Sequence, residues 1–290
     1  MQALLGLPAP AKINLFLHVI GRRSDGKHLL ESAFSLVNVC DTIDLIALEN
    51  NTIERKGDII GDSHQDLCVR AAQLLKERFH IQTGVQITVK KRIPSGAGLG
   101  GGSSDAATTL IGLNKLWDLH LSRSALLVLG LELGADVPFF LFGHTAFVEG
   151  IGEKLTHIDL PEARFAIIWP GKSVSTAKIF SSPALTRDSK STKICDFLDI
   201  QTSSWPVLFG RNDLQAVAIN EEPEIAKTLH WLKNSLQCEP RMTGSGSAVF
   251  GVLPSGEPTN LAELGPWPQD WKGFVAESLS EHPLAQWLDD

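Results

Sequence analysis

The chain has 290 residues, which suits one large domain or two domains of ordinary size. Its hydrophobic fraction of 43% and charged fraction of 20% are typical of a globular protein with a buried core. The net charge of −7 argues against a general nucleic-acid binder, and no uncharged apolar run reaches the roughly 18 residues of a membrane span. No signal peptide is visible, and the four scattered cysteines indicate reduced thiols. The sequence therefore predicts a cytoplasmic protein without a membrane or nucleic-acid partner.

The spacing of apolar residues predicts a mixed set of elements. In chain order we expect a strand at 11–20, a turn at 22–26, an extended segment at 34–46, a helix over 67–75, a strand at 85–93, a helix over 106–117, a short helix near Pro138, a strand at 165–169, a polar loop at 181–192, a helix over 225–236 and a strand at 248–253. Because strands and helices do not alternate regularly, an α+β fold is favoured over a doubly wound sheet. A division near 155–165 predicts two domains, 1–160 and 161–290.

The most informative segment joins the strand at 85–93 to the next helix. It reads Ile93-Pro94-Ser95-Gly96-Ala97-Gly98-Leu99-Gly100-Gly101-Gly102-Ser103-Ser104. Glycine allows the backbone to approach a ligand closely, and the free N–H groups of a helix that opens at the two serines favour an anion. Three consecutive glycines lose much chain entropy on folding, so a turn without a ligand rarely needs them. The segment predicts a phosphate-binding loop.

Two other glycine-rich motifs are disfavoured here. A Walker loop is excluded because no Lys-Ser or Lys-Thr pair follows the glycines. Gly96, Gly98 and Gly101 match the spacing of the Rossmann fingerprint, but the acidic residue at the expected distance, Asp118, follows a helix instead of a strand. A dehydrogenase therefore remains a distant alternative, which a test for nicotinamide cofactor binding would decide.

Three blocks of the chain, at 10–15, 94–107 and 242–246, resemble the motifs of the GHMP kinase superfamily in the right order. Within it, Asp25-Gly26 followed by His28 resembles the diphosphocytidyl branch more than the homoserine or mevalonate kinases. The resemblance implies a two-domain α+β fold with the active site in the cleft between the domains. It also implies that ATP with Mg²⁺ phosphorylates the 2-hydroxyl of a methylerythritol unit in the non-mevalonate isoprenoid route. The acceptor would be a small molecule carrying a cytidine diphosphate group.

Two charged residues are the candidates for catalysis. Lys12 and Asn14 lie two apart on a predicted strand, so their side chains share one face about 7 Å apart. The strand alone favours an edge lysine that faces solvent, and Asp136 alone is equally a cap of the helix near Pro138. The resemblance implies instead that Lys12 meets the reacting hydroxyl and lowers its pKa, while Asp136 is the base.

The resemblance also assigns binding residues. It implies that ATP is bound by Pro94, Ser95, Gly96, Ala97, Gly98, Leu99, Gly100, Gly101, Gly102, Ser103 and Ser104. It implies that the acceptor is bound by Asn14, Lys27, His28, Thr176 and Phe180, and that Gly244, Ser245 and Gly246 support the phosphate loop. A simple turn is the alternative for this last group. The family usually has tyrosine where this chain has Lys27, which offers no aromatic face for cytosine.

Some assignments stay open at this point. Asp105 is either structural or linked to a metal, and the Mg²⁺ ligands are unknown, although Ser103 or Ser104 could contribute. A non-catalytic nucleotide-binding regulator is an alternative of another class. The presence of both Lys12 and Asp136 argues against it, because a binding module needs no base.

Overall fold

The computed structural model describes residues 2–59, 65–253 and 260–289. The strands in these ranges are β1 (Ala3–Arg22), β2 (His28–Leu48), β3 (Ile53–Gly57), β4 (Gly84–Lys90), β5 (Ala146–Glu149), β6 (Lys154–His157), β7 (Arg164–Trp169), β8 (Arg241–Met242), β9 (Val249–Leu253) and β10 (Lys272–Leu279). The helices are α1 (Leu67–Phe79), α2 (Gly101–Leu116), α3 (Arg123–Leu133), α4 (Val137–Phe142), α5 (Thr176–Ser181), α6 (Ile194–Ser204), α7 (Gln215–Glu221) and α8 (Glu224–Leu236). None of the helices described is long and apolar enough to cross a membrane.

The strands β1 and β2 form a long antiparallel hairpin that carries one wall of the site. Arg22 pairs with His28 at its closed end, and the N–H of Gly26 donates to the carbonyl of Arg23 at 3.0 Å within the turn. The predicted strand at 11–20, the turn at 22–26 and the extended segment at 34–46 are all confirmed. Both strands are longer than predicted, because cross-strand pairing continues from Ala3 with Ile46 to Arg22 with His28.

β2 joins the two parts of one mixed sheet. The strand order is β3-β4-β2-β10-β7-β9-β8, with β1 and β5 also paired to β2, and β6 paired to β5. Among the strand pairs of the described ranges only β3 with β4 is parallel. This arrangement confirms the α+β class. Because β10 pairs with β2, hydrogen bonding crosses the predicted division at 160/161, and that domain boundary stays a prediction.

The helix α2 is the central helix of the N-terminal half. Most of its residues are buried against β1, β2, α1 and α4, in a core that includes Ala107, Leu110 and Leu113. The predicted helix over 106–117 is thus confirmed, but it begins at Gly101 instead of at the two serines. Gly100 lies directly before it with a φ of +73°, a left-handed conformation that ends the loop there.

The strand β4 ends at Lys90, three residues earlier than predicted. The Oδ1 atom of Asp41 accepts the N–H of Arg92 at 2.5 Å and that of Ile93 at 2.8 Å. Because these N–H groups bond to a side chain instead of a neighbouring strand, the chain leaves the sheet and enters the glycine loop. The other predicted helices and strands correspond to α1, α4, α8, β7 and β9, and the polar loop at 181–192 lies between α5 and α6.

Candidate active site

A cleft of about 470 Å³ contains most of the predicted site residues. This volume lies in the usual range of small-ligand sites, roughly 300–1,000 Å³. Its lining includes Lys12, Asn14, Asp136, Thr176, Phe180, Gly244, Ser245, Gly246 and the loop residues 94–103. Three predicted residues, Lys27, His28 and Ser104, are not part of this lining. The fold thus brings together segments from both halves of the chain.

Backbone hydrogen bonds hold the glycine loop from two sides. The N–H of Lys12 donates to the carbonyl of Leu99, and the N–H of Ala248 donates to the carbonyl of Ala97, each at 3.0 Å. The side chains of Ala97, Leu99 and Pro94 are buried in the protein. These residues therefore shape the cleft with their backbone, which is what a phosphate-binding loop requires.

Two positions of the loop require glycine, because other atoms of the protein lie too close to leave room for a side chain. Gly98 has a φ of +77°, and a Cβ atom there would lie 2.2 Å from the carbonyl oxygen of Thr243. Gly100 has a φ of +73°, and its Cβ would lie 2.8 Å from the ring of Phe140 and 3.1 Å from Cγ of Lys12. A larger residue at Gly98 would displace the loop from the turn after β8, and a larger residue at Gly100 would displace it from Phe140 and Lys12.

The helix α2 begins inside the cleft without a side-chain cap. By contrast, Asp66 caps α1 and Ser122 caps α3. The first N–H groups of a helix have no partner within it, and together with the helix dipole they attract an anion. Ser103 lines the cleft in this first turn, whereas the Oγ atom of Ser104 is buried without a hydrogen-bond partner in the described part of the chain.

Lys12, Asn14 and Asp136 form a charged cluster beside this helix start. The Lys12 side chain is almost fully buried, donates to Oδ1 of Asn14 at 2.6 Å and lies 3.6 Å from Oδ2 of Asp136. Its Nζ also lies 4.5 Å from the ring centroid of Phe34, a cation–π contact. Lys12 therefore does not face solvent as an edge lysine would. Asp136 makes no capping hydrogen bond to α4, so its carboxylate is available to the cleft.

The turn after β8 packs against β1 and the glycine loop. Oγ1 of Thr243 accepts the N–H of Asn14 at 2.9 Å, and the buried amide of Asn212 donates to the carbonyl of Gly244 at 2.8 Å. These contacts fit the prediction that the turn supports the phosphate loop. They fit the alternative, a simple turn into the next strand, less well. Sequence reasoning missed Asn212, because its partner lies 32 residues away and no local pattern marks it.

The helix α5 contributes Thr176 and Phe180 to the lining of the cleft. Oγ1 of Thr176 lies 2.7 Å from Oγ of Ser245, and the ring of Phe180 lies 4.9 Å from the ring of His28 between centroids. A base stacked between these two rings would need roughly 7 Å, so it cannot lie there. Lys27 is exposed, and its role stays a prediction.

A buried ionic cluster of Asp41, Lys91 and Asp105 lies beside the glycine loop, and Lys91 and Asp105 also line the cleft. Of these three residues, the sequence analysis considered only Asp105. Nζ of Lys91 contacts the carboxylates of Asp41 and Asp105, the latter at 2.5 Å. Burial raises the pKa of Asp105 to about 7 against the attraction of Lys91, and the charge of Asp41 adds to the increase. The contact with Lys91 supports the structural alternative for Asp105. The described residues contain no group of three or more His, Cys, Asp or Glu side chains placed to hold a metal ion.

Comparison with known proteins agrees with this geometry. Residues 66–144 match the family model for the GHMP kinases N terminal domain. The chain is 50% identical over 285 residues to the 4-diphosphocytidyl-2-C-methyl-D-erythritol kinase of Polynucleobacter necessarius, covering 96% of this chain and 94% of the relative. It is 48% identical to the enzyme of that name from Herminiimonas arsenicoxydans, covering 98% of each. A crystal structure of 4-(cytidine 5'-diphospho)-2C-methyl-D-erythritol kinase superposes with a TM-score of 0.78 at 30% identity, covering 96% of this chain and 99% of the other.

Proposed function

The chain belongs to the family of 4-diphosphocytidyl-2-C-methyl-D-erythritol kinases within the GHMP kinases, and we propose that its cleft transfers the γ-phosphate of ATP to the 2-hydroxyl of that acceptor. ATP is the phosphate donor of GHMP kinases. The product would be the 2-phosphate, an intermediate of the non-mevalonate isoprenoid route. Such a reaction takes place where ATP is abundant, which supports the proposed cytoplasmic location.

The observation that carries the proposal is the pairing of Lys12 with Asp136 beside an uncapped helix start. The loop and the first turn of α2 would hold the phosphates of ATP, so that the γ-phosphate lies near this pair. The acceptor hydroxyl would lie at the carboxylate of Asp136, which takes its proton as the new P–O bond forms and the bond from the γ-phosphorus to the oxygen of the leaving ADP breaks. Lys12, fixed by Asn14, would stabilise negative charge on the attacking and transferred oxygens.

We also propose that Mg²⁺ accompanies the nucleotide. Mg²⁺ keeps several waters and is usually bound by one or two protein oxygens together with phosphates, so it needs no dedicated cage. The start of α2 fits this requirement, because Ser103 lines the cleft and the Oγ of Ser104 is a buried hydroxyl without a partner among the described residues. One of these two serines would hold the ion with the nucleotide, and the ion would neutralise charge on the phosphates.

The end of the cleft near α5 would bind the cytidine diphosphate group of the acceptor. Phe180 offers an aromatic face, His28 lies against its ring, and Thr176 provides a hydroxyl in the cleft. Base–aromatic stacking is worth about 1–3 kcal/mol where alanine substitution has probed it. This site distinguishes the proposed acceptor from homoserine or mevalonate, which carry no base.

The experiment is an assay of ADP release with a panel of acceptors. We expect turnover with 4-diphosphocytidyl-2-C-methyl-D-erythritol, and little or none with methylerythritol 4-phosphate, homoserine or mevalonate. Turnover with one of the last two instead would place the chain in another branch of the GHMP kinases. ATP binding without ADP release for any acceptor would support the alternative of a non-catalytic regulator.

A further inference from the structure

Arg187, in the loop between α5 and α6, lies directly behind His28. Its Nε atom donates to Nε2 of His28 at 3.0 Å. Its Nη2 donates to the carbonyls of Phe180 at 3.0 Å and Ser182 at 2.8 Å, and its Nη1 donates to that of Leu185 at 3.0 Å. Four hydrogen bonds therefore hold the planar guanidinium in one orientation, and one of them ends on the imidazole ring.

The direction of that hydrogen bond fixes the proton on the ring. Arginine donates and never accepts, so Nε2 of His28 must be the unprotonated nitrogen. A neutral imidazole then carries its proton on Nδ1. Burial lowers the pKa of His28, and the positive charges of Arg187 and of Arg22 on β1 lower it further, so the neutral ring is favoured. Within the described part of the chain, Nδ1 makes no hydrogen bond and is available to a ligand.

We propose that Arg187 is a positioning and specificity residue, which holds His28 as the Nδ1–H tautomer so that the ring donates to N3 of the acceptor's cytosine. N3 is an unprotonated acceptor in cytosine but carries a proton in uracil. A fixed N–H donor on His28 therefore forms a hydrogen bond with N3 of cytosine, but faces another N–H group in uracil. The inference rests on the proposed function, because it assumes a cytidine diphosphate group whose base lies beside Phe180 with its edge towards Nδ1 of His28.

The selectivity between cytosine and uracil depends on the nitrogen that Arg187 contacts. Because Arg187 donates to Nε2, only a protonated Nδ1 is left for the base. Without the arginine, the imidazole would exchange between its two tautomers and could turn either an acceptor or a donor to the base. The backbone carbonyls that Arg187 binds belong to α5 and the residues after it, so the same side chain also fixes Phe180 relative to His28. Edge recognition and the stacking face are thus set together.

The tautomer is measured directly by ¹⁵N NMR of histidine-labelled enzyme, with His28→Gln to assign the signal. We expect wild-type His28 near pH 8 to show a protonated Nδ1 and an unprotonated Nε2. Arg187→Met should move the proton largely to Nε2, while Arg187→Lys, which keeps a donor, should restore part of the wild-type signature. Lys190→Met, an exposed lysine of the same loop, is the matched control for the loss of charge. If the wild-type enzyme carried the proton of His28 on Nε2, that result alone would overturn the proposal.

Binding of CDP and UDP, measured by calorimetry, tests specificity without requiring turnover. We expect wild type to bind CDP about tenfold or more tightly than UDP, because the mismatch leaves two N–H groups opposed. Arg187→Met should lose most of this ratio, and the KM for ATP should stay within about twofold. An unchanged ratio in a variant with an altered tautomer would refute the specificity role. The protein could bind CDP more tightly than UDP and yet phosphorylate no acceptor. That result would refute the proposed function but would leave the role of Arg187 intact.

Discussion

The ammonium of Lys12 on β1 lies 3.6 Å from the carboxylate of Asp136, the residue directly before α4. Lys12 is buried, whereas about a third of the Asp136 side chain is exposed to the cleft. The lysine is therefore fixed in the protein, and the carboxylate is the member of the pair that an acceptor can reach. This arrangement suits a general base that accepts a proton from an acceptor in the cleft.

Asp136→Asn should lower kcat by about 10²–10⁴, because general base catalysis is typically worth that much. The KM for ATP should change little, since the phosphates would be held by the loop and by α2. The control is Asp159→Asn, a fully exposed aspartate outside the cleft, which should leave both constants unchanged. Steady-state kinetics of the folded variants provides the measurement. Near-normal turnover of Asp136→Asn would remove Asp136 from the role of base.

Gly102→Val should weaken ATP binding by about tenfold or more while the protein stays folded. A Cβ atom at Gly102 meets nothing closer than Leu67 at 3.9 Å, so the new side chain would project into the cleft, where the proposed function places the phosphates of ATP. Calorimetric titration with ATP and with CDP separately would show the loss for ATP alone.

Gly101→Val is the matched comparison, because its effect should have a different cause. Its Cβ would lie 3.0 Å from Cγ2 of the buried Ile93, so the start of the loop has to move. We expect a lower Tm for Gly101→Val than for Gly102→Val. If Gly102→Val bound ATP as wild type does, the first turn of α2 would not be the phosphate site.

Lys27→Tyr should tighten CDP binding if this position lies over the free face of the cytosine. Stacking on an aromatic ring is worth about 1–3 kcal/mol, and a lysine stem recovers only part of it. The KM for ATP should not change, and Lys154→Tyr, on the exposed face of β6, is the control. Equal or weaker CDP binding at fixed salt would indicate that Lys27 acts on the diphosphate instead.

Asp105→Asn should change the pH dependence of stability. Burial raises the pKa of Asp105 to about 7 in the folded protein, so the folded state retains a proton that the unfolded state releases near pH 4. The stabilisation from this group is complete below pH 4 and is lost as the pH rises through about 7. Wild type should therefore lose stability relative to Asp105→Asn by about 2 kcal/mol between pH 5 and pH 8. Urea unfolding of both proteins at pH 5 and at pH 8 measures their free energies of unfolding. The same difference between wild type and Asp105→Asn at both pH values would contradict the prediction.

Local patterns predicted the elements that carry the chemistry. The alternation of β1 placed Lys12 and Asn14 on one face, and the glycine-rich segment marked the start of α2. Asp136 was found through its motif, and the structure adds the contact with Lys12. In each case the signal lies within a few neighbouring residues, whereas the roles of Lys12 and Asp136 came from the family resemblance and stay predictions.

The remaining contacts depend on residues distant in the chain. Arg187 is 159 residues from His28, and Asp41 is 52 residues from Ile93, so neither partnership leaves a local pattern. The helix α6 was missed because it begins at Ile194 after Lys193 without a capping side chain. Such elements are stabilised by tertiary packing, which periodicity does not report.

The most direct measurement is ³¹P NMR of the product formed by the wild-type enzyme from ATP and 4-diphosphocytidyl-2-C-methyl-D-erythritol. The proposed function predicts one ADP per acceptor and one new phosphomonoester, located on the 2-hydroxyl, with the diphosphate linkage intact. Asp136→Asn should form the same product at a rate reduced by about 10² or more. Release of inorganic phosphate without acceptor phosphorylation, or a phosphate on another hydroxyl, would contradict the proposed function.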